Sequence, residues 1–285
     1  MPNPATIDGF ILAAGLGTRM GPLSAVLPKP AWTLQGKPLL GWGAESMRSA
    51  GLEHLACNAH LHPEKLERSM AGFPGLEIFR EPLLMGSAGG LLHVRGRAAD
   101  PLAVWNGDAL AEVPWEAFRD AHRRSGADLS WLLFPHPGGP WTQVWVDEAG
   151  RVLAKGKTVR SVAAQGPFLF TGASLWSSRA LALLPEGPSD THDLVPRLAH
   201  HGGVVVPPFT WREIGTPEAL LVAAQELAPG QEGRIPGCYV HPDAVPQGRL
   251  QHCVLGPGAR PHPAMVDRDA LWFEESGRQV RLGLS

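Results

Sequence analysis

The sequence predicts an α/β fold, a mainly parallel sheet flanked by helices, closed by a short C-terminal tail of left-handed β-helix type. Three observations carry this. Short apolar runs of strand length alternate with segments of helical period over most of the chain, the pattern of βαβ units. The first run, residues 10–14, empties into a loop holding Gly15, Gly17 and Gly21, at the strand end where parallel sheets take their ligands. In the last fifty residues, the segments starting at Val240 (Val-His-Pro-Asp-Ala-Val-Pro), Val254 (Val-Leu-Gly-Pro-Gly-Ala) and Pro261 (Pro-His-Pro-Ala-Met-Val) echo one another at multiples of about six residues.

The 285 residues leave room for one large domain and a small appendage. A formal net charge of −2 excludes bulk attraction to nucleic acid, so phosphate binding falls to local Arg and Lys. Residues 1–9 lack a signal-peptide pattern, and no run approaches the roughly 20 apolar residues of a membrane span. A soluble, cytoplasmic protein that engages no membrane is expected. Three cysteines, Cys57, Cys238 and Cys253, match neither a disulfide framework nor a zinc spacing and read as buried or idle thiols.

Residues 10–30 read Phe-Ile-Leu-Ala-Ala-Gly-Leu-Gly-Thr-Arg-Met-Gly-Pro-Leu-Ser-Ala-Val-Leu-Pro-Lys-Pro. Glycines let backbone N–H groups approach an anion closely, and Arg19 and Lys29 add two cations. Met20 replaces the third glycine of a dinucleotide fingerprint, and no Gly-Lys-Ser/Thr closes a nucleotide-hydrolase loop. A tight strand-to-helix turn would account for the glycines and leave Arg19 and Lys29 unexplained. The string Leu-Ala-Ala-Gly-x-Gly-Thr-Arg-Met from Leu12, followed by Pro22-Leu23 and Pro28-Lys29-Pro30, resembles the signature of the sugar-1-phosphate nucleotidyltransferases. The resemblance implies a Rossmann-like mixed sheet and the conversion of NTP and a sugar-1-phosphate to NDP-sugar and pyrophosphate. It places Leu12, Ala13, Ala14, Gly15, Gly17 and Thr18 around the nucleotide, Arg19 on the leaving pyrophosphate and Lys29 at the α-phosphate.

Further along, a helix is expected over 37–50, with Pro38 in its first turn and Gly51 as its stop. A strand over 55–59, a helix over 63–70 and a strand over 76–79 follow. Residues 81–91, Glu-Pro-Leu-Leu-Met-Gly-Ser-Ala-Gly-Gly-Leu, resemble the family's Leu-Gly-Thr-Ala-Gly stretch, which implies that Gly86, Ser87 and Ala88 lie beside the base. A helix start capped by Ser87 is compatible with this. The strand 102–105 ends in Asn106-Gly107-Asp108. A turn aspartate is the plain reading of Asp108, and the resemblance assigns it the divalent metal, Mg²⁺ or Mn²⁺, with Asn106 and Gly107 beside the substrates.

A helix over 114–125 stopped by Gly126, a strand over 128–134 and a hairpin of 141–146 with 151–155 come next. Relatives often carry Glu-Lys-Pro after the hairpin, where this chain has Ala154-Lys155-Gly156-Lys157; the identity of the sugar stays open, and Lys155 reads either as a contact to the sugar phosphate or, more plainly, as an exposed turn lysine. The strand 168–176 contains Thr171-Gly172; a glycine inside a strand marks a close approach, and the family places Gly172 under the sugar. Residues 190–201 read as a helix packing Leu194, Val195, Leu198 and Ala199, with His192 and Asp193 at the cap or in water, and with His200 and His201 unassigned.

Trp211-Arg212-Glu213-Ile214-Gly215-Thr216-Pro217 resembles the family's Trp-x-Asp-x-Gly-Thr-Pro. Thr216 is the expected N-cap and Pro217 the first helical residue, while Glu213 stands one methylene longer in the place of the second metal-binding Asp. Residues 228–237 read as a linker, giving a nucleotidyltransferase domain over 5–228 and a tail over 238–285 whose pattern ends at Asp267. The tail is too short for an acyltransferase stack and is assigned a capping or homo-oligomer contact. The rival reading is a non-catalytic, nucleotide-sugar-binding regulatory relative. Glu213 and the missing Glu-Lys-Pro support it, and the presence of Arg19, Lys29 and Asp108 together argues against it.

Overall fold

The computed structural model describes residues 5–139, 141–156, 164–205, 209–227 and 238–284. The linker expected over 228–237 lies outside the described residues. Two compact units make up the chain: Met1–Ala14, Gly43–His60 and Phe73–Trp211 form the first, and Gly15–Trp42, Leu61–Gly72 and Arg212–Ser285 the second.

The first unit holds a nine-stranded mixed sheet among its described residues. Ile7–Leu12 lies between Leu55–Ala59 and Ala98–Asn106, parallel to both, and Leu76–Arg80 extends the parallel set. Gln165–Trp176 then runs antiparallel to Ala98–Asn106. Its opposite edge takes Leu129–Pro135, which His201–Val205 extends in parallel, and its N-terminal half takes the hairpin of Gln143–Val146 with Val152–Lys155.

Strand alternation sends side chains to two buried faces. Phe10, Leu102 and Val104 meet Ala88, Leu91 and Leu181 on one face. Trp105 points the other way, toward the helix Leu39–Ser49, where Gly43 makes room for it: a Cβ there would stand 2.7 Å from the indole Cδ1. The same indole meets Trp115 edge-on at 6.2 Å, on the helix Trp115–Ser125. That helix stops as expected at Gly126, in the left-handed region at φ +64°.

Several expectations change on contact with tertiary structure. The first strand occupies Ile7–Leu12, earlier than 10–14, so Ala13 and Ala14 belong to the loop. Pro38 lies in a two-residue strand paired with Thr33–Leu34, and the helix starts after it. The helix expected over 190–201 is one turn, Thr191–Leu194, followed by a 3-10 turn with Pro196 at its start. His201 already belongs to a strand and is buried.

In the second unit the helix Pro217–Leu227 starts as expected, with the Thr216 hydroxyl accepting from Ala219 N–H at 3.2 Å. The tail forms two parallel ladders. Tyr239–Val240, Val254–Leu255 and Ala270–Glu275 stack in one, and Arg249–Gln251 pairs with Val266–Arg268 in the other. Both ladders run past Asp267, so the coil extends further than its echoes; the antiparallel return of Arg278–Gly283 on Ala270–Glu275 ends it. Cys238, Leu250, Cys253 and Trp272 fill its interior. The coil also covers Trp32, which is fully buried against the rings of Tyr239 at 5.8 Å and His241 at 5.9 Å. No described helix is long and apolar enough to cross a membrane.

Candidate functional site

In the first unit the strands Ile7–Leu12, Leu55–Ala59, Leu76–Arg80 and Ala98–Asn106 are parallel, so the segments leaving their carboxyl ends open on one edge of the sheet. This brings together Leu12, Ala13 and Ala14, the segment of Gly86, Ser87 and Ala88, and the Asn106-Gly107-Asp108 turn. Leu12 and Asn106 are direct partners across their strands. Gly107 donates its N–H to the Leu12 carbonyl at 2.9 Å, and a Cβ on it would stand 3.0 Å from that oxygen. The glycine before Asp108 is therefore a packing requirement, which sets the direction in which the chain leaves the sheet.

A cleft of about 460 Å³ opens beside these segments, with Leu12, Ser87, Asn106, Trp131, Lys155 and His201 among its walls. Gly172 packs against one of its walls, the Asn106 side chain. Its φ is +95°, and a Cβ on it would stand 3.0 Å from the Asn106 Cβ. The expectation for this glycine is a close approach by a ligand or another backbone; the approach seen is by the Asn106 side chain.

Ser87 does not cap its own helix. The N-cap position of Gly86–Gly89 is Met85, and Ser87 sits inside the helical turn. Its N–H and its hydroxyl donate to Asp190 Oδ1 at 3.0 and 3.1 Å, while the hydroxyl accepts from Thr191 N–H at 2.9 Å. The Ala88 and Gly89 N–H groups both donate to the Ser189 carbonyl at 3.0 Å. Residues 189–191 thus satisfy the donors of this first turn, and the segment is held as a rigid tie. Asp190 and Asp193 in turn form a capping box at the head of Thr191–Leu194, as expected for Asp193.

Sequence reasoning missed the chemistry of the opposite wall. The His201 ring stands edge-on to Trp131 at 4.2 Å, and the Lys155 ammonium lies 5.3 Å from the Trp131 ring centroid, so this lysine caps an aromatic wall. Neither ring nitrogen of His201 has a hydrogen-bond partner among the described residues. Burial, with smaller contributions from His200 and Lys155, holds the His201 pKa down to about 4, so the ring is neutral at physiological pH. Residues 201–205, His-Gly-Gly-Val-Val, carry no strand alternation, and the helical period of 190–199 pointed away from a strand.

The second unit carries the other expected residues: Gly15, Gly17, Thr18, Arg19, Lys29 and Glu213. Gly17 is left-handed at φ +62° and leads into the 3-10 turn Thr18–Met20. Met20, at the position where a dinucleotide fingerprint needs glycine, is fully buried and anchors the loop. Lys29 opens the next 3-10 turn, and its Cβ lies 3.6 Å from where a Cβ on Gly17 would stand, so the lysine is brought to the glycine loop. Among the described residues, its chain neighbours aside, no atom lies within 4 Å of the corresponding position on Gly15. Arg19 pairs with the Glu213 carboxylate through its guanidinium, and a Cβ on Gly215 would stand 2.8 Å from the same guanidinium. Glu213 and Gly215 therefore hold Arg19 between them.

The nucleotidyl transferase family model matches residues 8–229. The mannose-1-phosphate guanylyltransferase of Mycobacterium tuberculosis is 28% identical over 238 residues, covering 79% of this chain and 65% of that protein. The probable mannose-1-phosphate guanylyltransferase 1 of Oryza sativa subsp. japonica is 25% identical over 326 residues, covering 97% and 89%. Among solved structures, HddC from Yersinia pseudotuberculosis complexed with GMP-PN matches with a TM-score of 0.67 at 20% identity, over 78% of this chain and 100% of that one. The inositol-1-phosphate CTP transferase from T. maritima matches with a TM-score of 0.62 at 16% identity, over 75% and 91%. At these identities the structural likeness is one of fold.

Proposed function

Because this chain belongs to the nucleotidyl transferase family, we propose that it converts a nucleoside triphosphate and a sugar-1-phosphate to a nucleotide sugar and pyrophosphate. The observation that carries this reading is the glycine loop, which carries Arg19 on the 3-10 turn after Gly17 and has the Cβ of Lys29, on the next 3-10 turn, packed against that glycine. A sugar-phosphate oxygen attacks the α-phosphorus in line, so the protein supplies position and charge. Lys29 neutralises charge growing at the α-phosphate, and Arg19, steadied by Glu213, takes the leaving pyrophosphate. In the first unit the cleft beside Asn106 and Lys155 receives the sugar, and Gly86, Ser87 and Ala88 lie on the side of the base.

The Asp108 carboxylate of the first unit would hold a divalent cation, the role that the resemblance also gives to Glu213 of the second unit, which here pairs with Arg19. Hard oxygen donors suit Mg²⁺, which takes one or two carboxylates together with substrate phosphates, so no cluster of three side-chain ligands is required. Among the described residues none occurs. When bound, the ion neutralises phosphate charge.

The names of the relatives point to GTP and mannose-1-phosphate as the first pair to try. Incubation of the protein with this pair and Mg²⁺, followed by mass spectrometry, is expected to yield GDP-mannose with stoichiometric pyrophosphate. A protein that binds nucleotide and turns over no sugar phosphate supports the regulatory reading instead.

A further inference from the structure

We infer that Asn58 and Glu81 form a buried relay that positions the two nucleotide-contacting segments of the first unit, and that the placement of the single carboxylate within it governs nucleotide affinity. The inference rests on the proposed roles of Ala13 and of Gly86, Ser87 and Ala88. Asn58 and Glu81 are 1% and 3% exposed, and the Glu81 side chain is entirely buried. Three hydrogen bonds run through them in series. Ala13 N–H donates to Asn58 Oδ1 at 2.8 Å. Asn58 Nδ2 donates to Glu81 Oε1 at 2.9 Å. Met85 N–H donates to Glu81 Oε2 at 3.2 Å. One end of the relay is the first residue after the strand Ile7–Leu12, and the other immediately precedes Gly86. Among the described residues His93 also faces the carboxylate: its Nε2 stands 3.4 Å from Glu81 Oε1 without hydrogen-bond geometry, and its ring stacks on Phe79 at 4.8 Å. Gly90 admits the relay, since a Cβ there would stand 2.6 Å from Asn58 Nδ2.

The polarity of this chain is forced. Both of its ends are backbone N–H groups, which only donate, so the two side chains between them must present an acceptor outward at each end and one donor–acceptor contact in the middle. One amide and one carboxylate satisfy this; two amides cannot. With Glu81→Gln, if the new amide oxygen serves Met85, its NH₂ faces the Asn58 NH₂; if Asn58 then flips, its NH₂ faces the Ala13 N–H. One bond is lost in every arrangement, and a buried donor left unpaired costs about 1–3 kcal/mol. With Asn58→Asp alone, two carboxylates face each other. The pair Asn58→Asp with Glu81→Gln restores all three bonds, with the charge moved one residue along the relay. The two carbon skeletons keep their size throughout.

The test measures KM for each substrate, kcat, nucleotide binding and thermal melting for wild type, E81Q, N58D and the double swap, using whichever of GTP, ATP, UTP, CTP and dTTP the wild type binds most tightly. E81Q is expected to raise Kd and KM for the nucleotide about tenfold, the equivalent of one lost bond. The sugar-1-phosphate KM should stay within twofold, and the double swap should recover nucleotide affinity to within threefold. Unchanged nucleotide affinity in E81Q overturns the inference, as does an equal rise in both KM values that tracks a fall in melting temperature. If E81Q does not fold, the swap must restore both folding and binding, and its failure to do so also overturns it. Wild type that binds nucleotide without turnover sinks the catalytic reading alone, because the relay is still judged by binding. Wild type that binds no nucleotide sinks both.

Discussion

Replacing Gly172 by alanine places two separate costs on one new atom. The residue has φ +95°, where an L-residue is strained by about 1–3 kcal/mol. The added methyl would also stand 3.0 Å from Asn106 Cβ and 3.1 Å from Cγ and Nδ2, well inside ordinary carbon contact. Asn106 must move or the strand must bend, and overpacking of this kind costs about 1–3 kcal/mol more. A loss of about 2–6 kcal/mol corresponds to a fall in Tm on the order of 4–24 °C for a domain of this size. Since Asn106 lines the cleft, the same displacement should raise the KM for sugar-1-phosphate in the fraction that stays folded. Gly172→Ala combined with Asn106→Ala removes the contact and leaves the backbone strain, so part of the Tm should return. Scanning fluorimetry with parallel kinetics reads all of this. Gly172→Ala with wild-type Tm and kinetics would refute the claim that this glycine exists to seat Asn106.

Glu213→Asp shortens the arm that grips Arg19 and should lower kcat, while Asp108→Asn should abolish metal-dependent turnover; the reasoning fails if Glu213→Asp raises activity. The His201 pKa is depressed to about 4 against an ordinary value near 6.5, so between those limits the unfolded chain binds more protons and stability falls as pH drops. The loss should reach on the order of 3 kcal/mol by pH 4, and His201→Phe should flatten that part of a denaturation-versus-pH curve; an unchanged slope contradicts it. Deleting the tail after residue 237 uncovers Trp32 and should destabilise the second unit by roughly 3 kcal/mol, seen as a lower urea midpoint, with an unchanged midpoint as the contrary result.

What could be read from the chain in advance was whatever local pattern decides. The strand Leu55–Ala59 and the helix Trp115–Ser125 with its Gly126 stop follow from period and capping, which are properties of neighbouring residues. The glycine loop was legible because its cations lie close to the glycines in sequence. What escaped depended on partners far along the chain. Asn58 sits inside the apolar run Leu-Ala-Cys-Asn-Ala, and a polar side chain in a buried strand requires a partner, but nothing local identifies Glu81 as that partner. Residues 190–199 carry a helical period, yet Pro196 and the pairing of His201 with Leu129 divert the chain into a sheet. Arg19 and Glu213, 194 residues apart, were each assigned a role alone, and their ion pair is visible only in the fold.

The central claim, that the glycine loop serves phosphoryl transfer, is tested most directly by pyrophosphate release. Five nucleoside triphosphates are set against a panel of sugar-1-phosphates with Mg²⁺, for wild type and Lys29→Ala side by side. The loop carries Lys29 on a 3-10 turn where the side chain is only partly buried, so Lys29→Ala should melt like wild type. At least one pair should release pyrophosphate with wild type and lose most of that release with Lys29→Ala. Wild type that releases none from any pair, or Lys29→Ala that keeps full specific activity, would contradict the account.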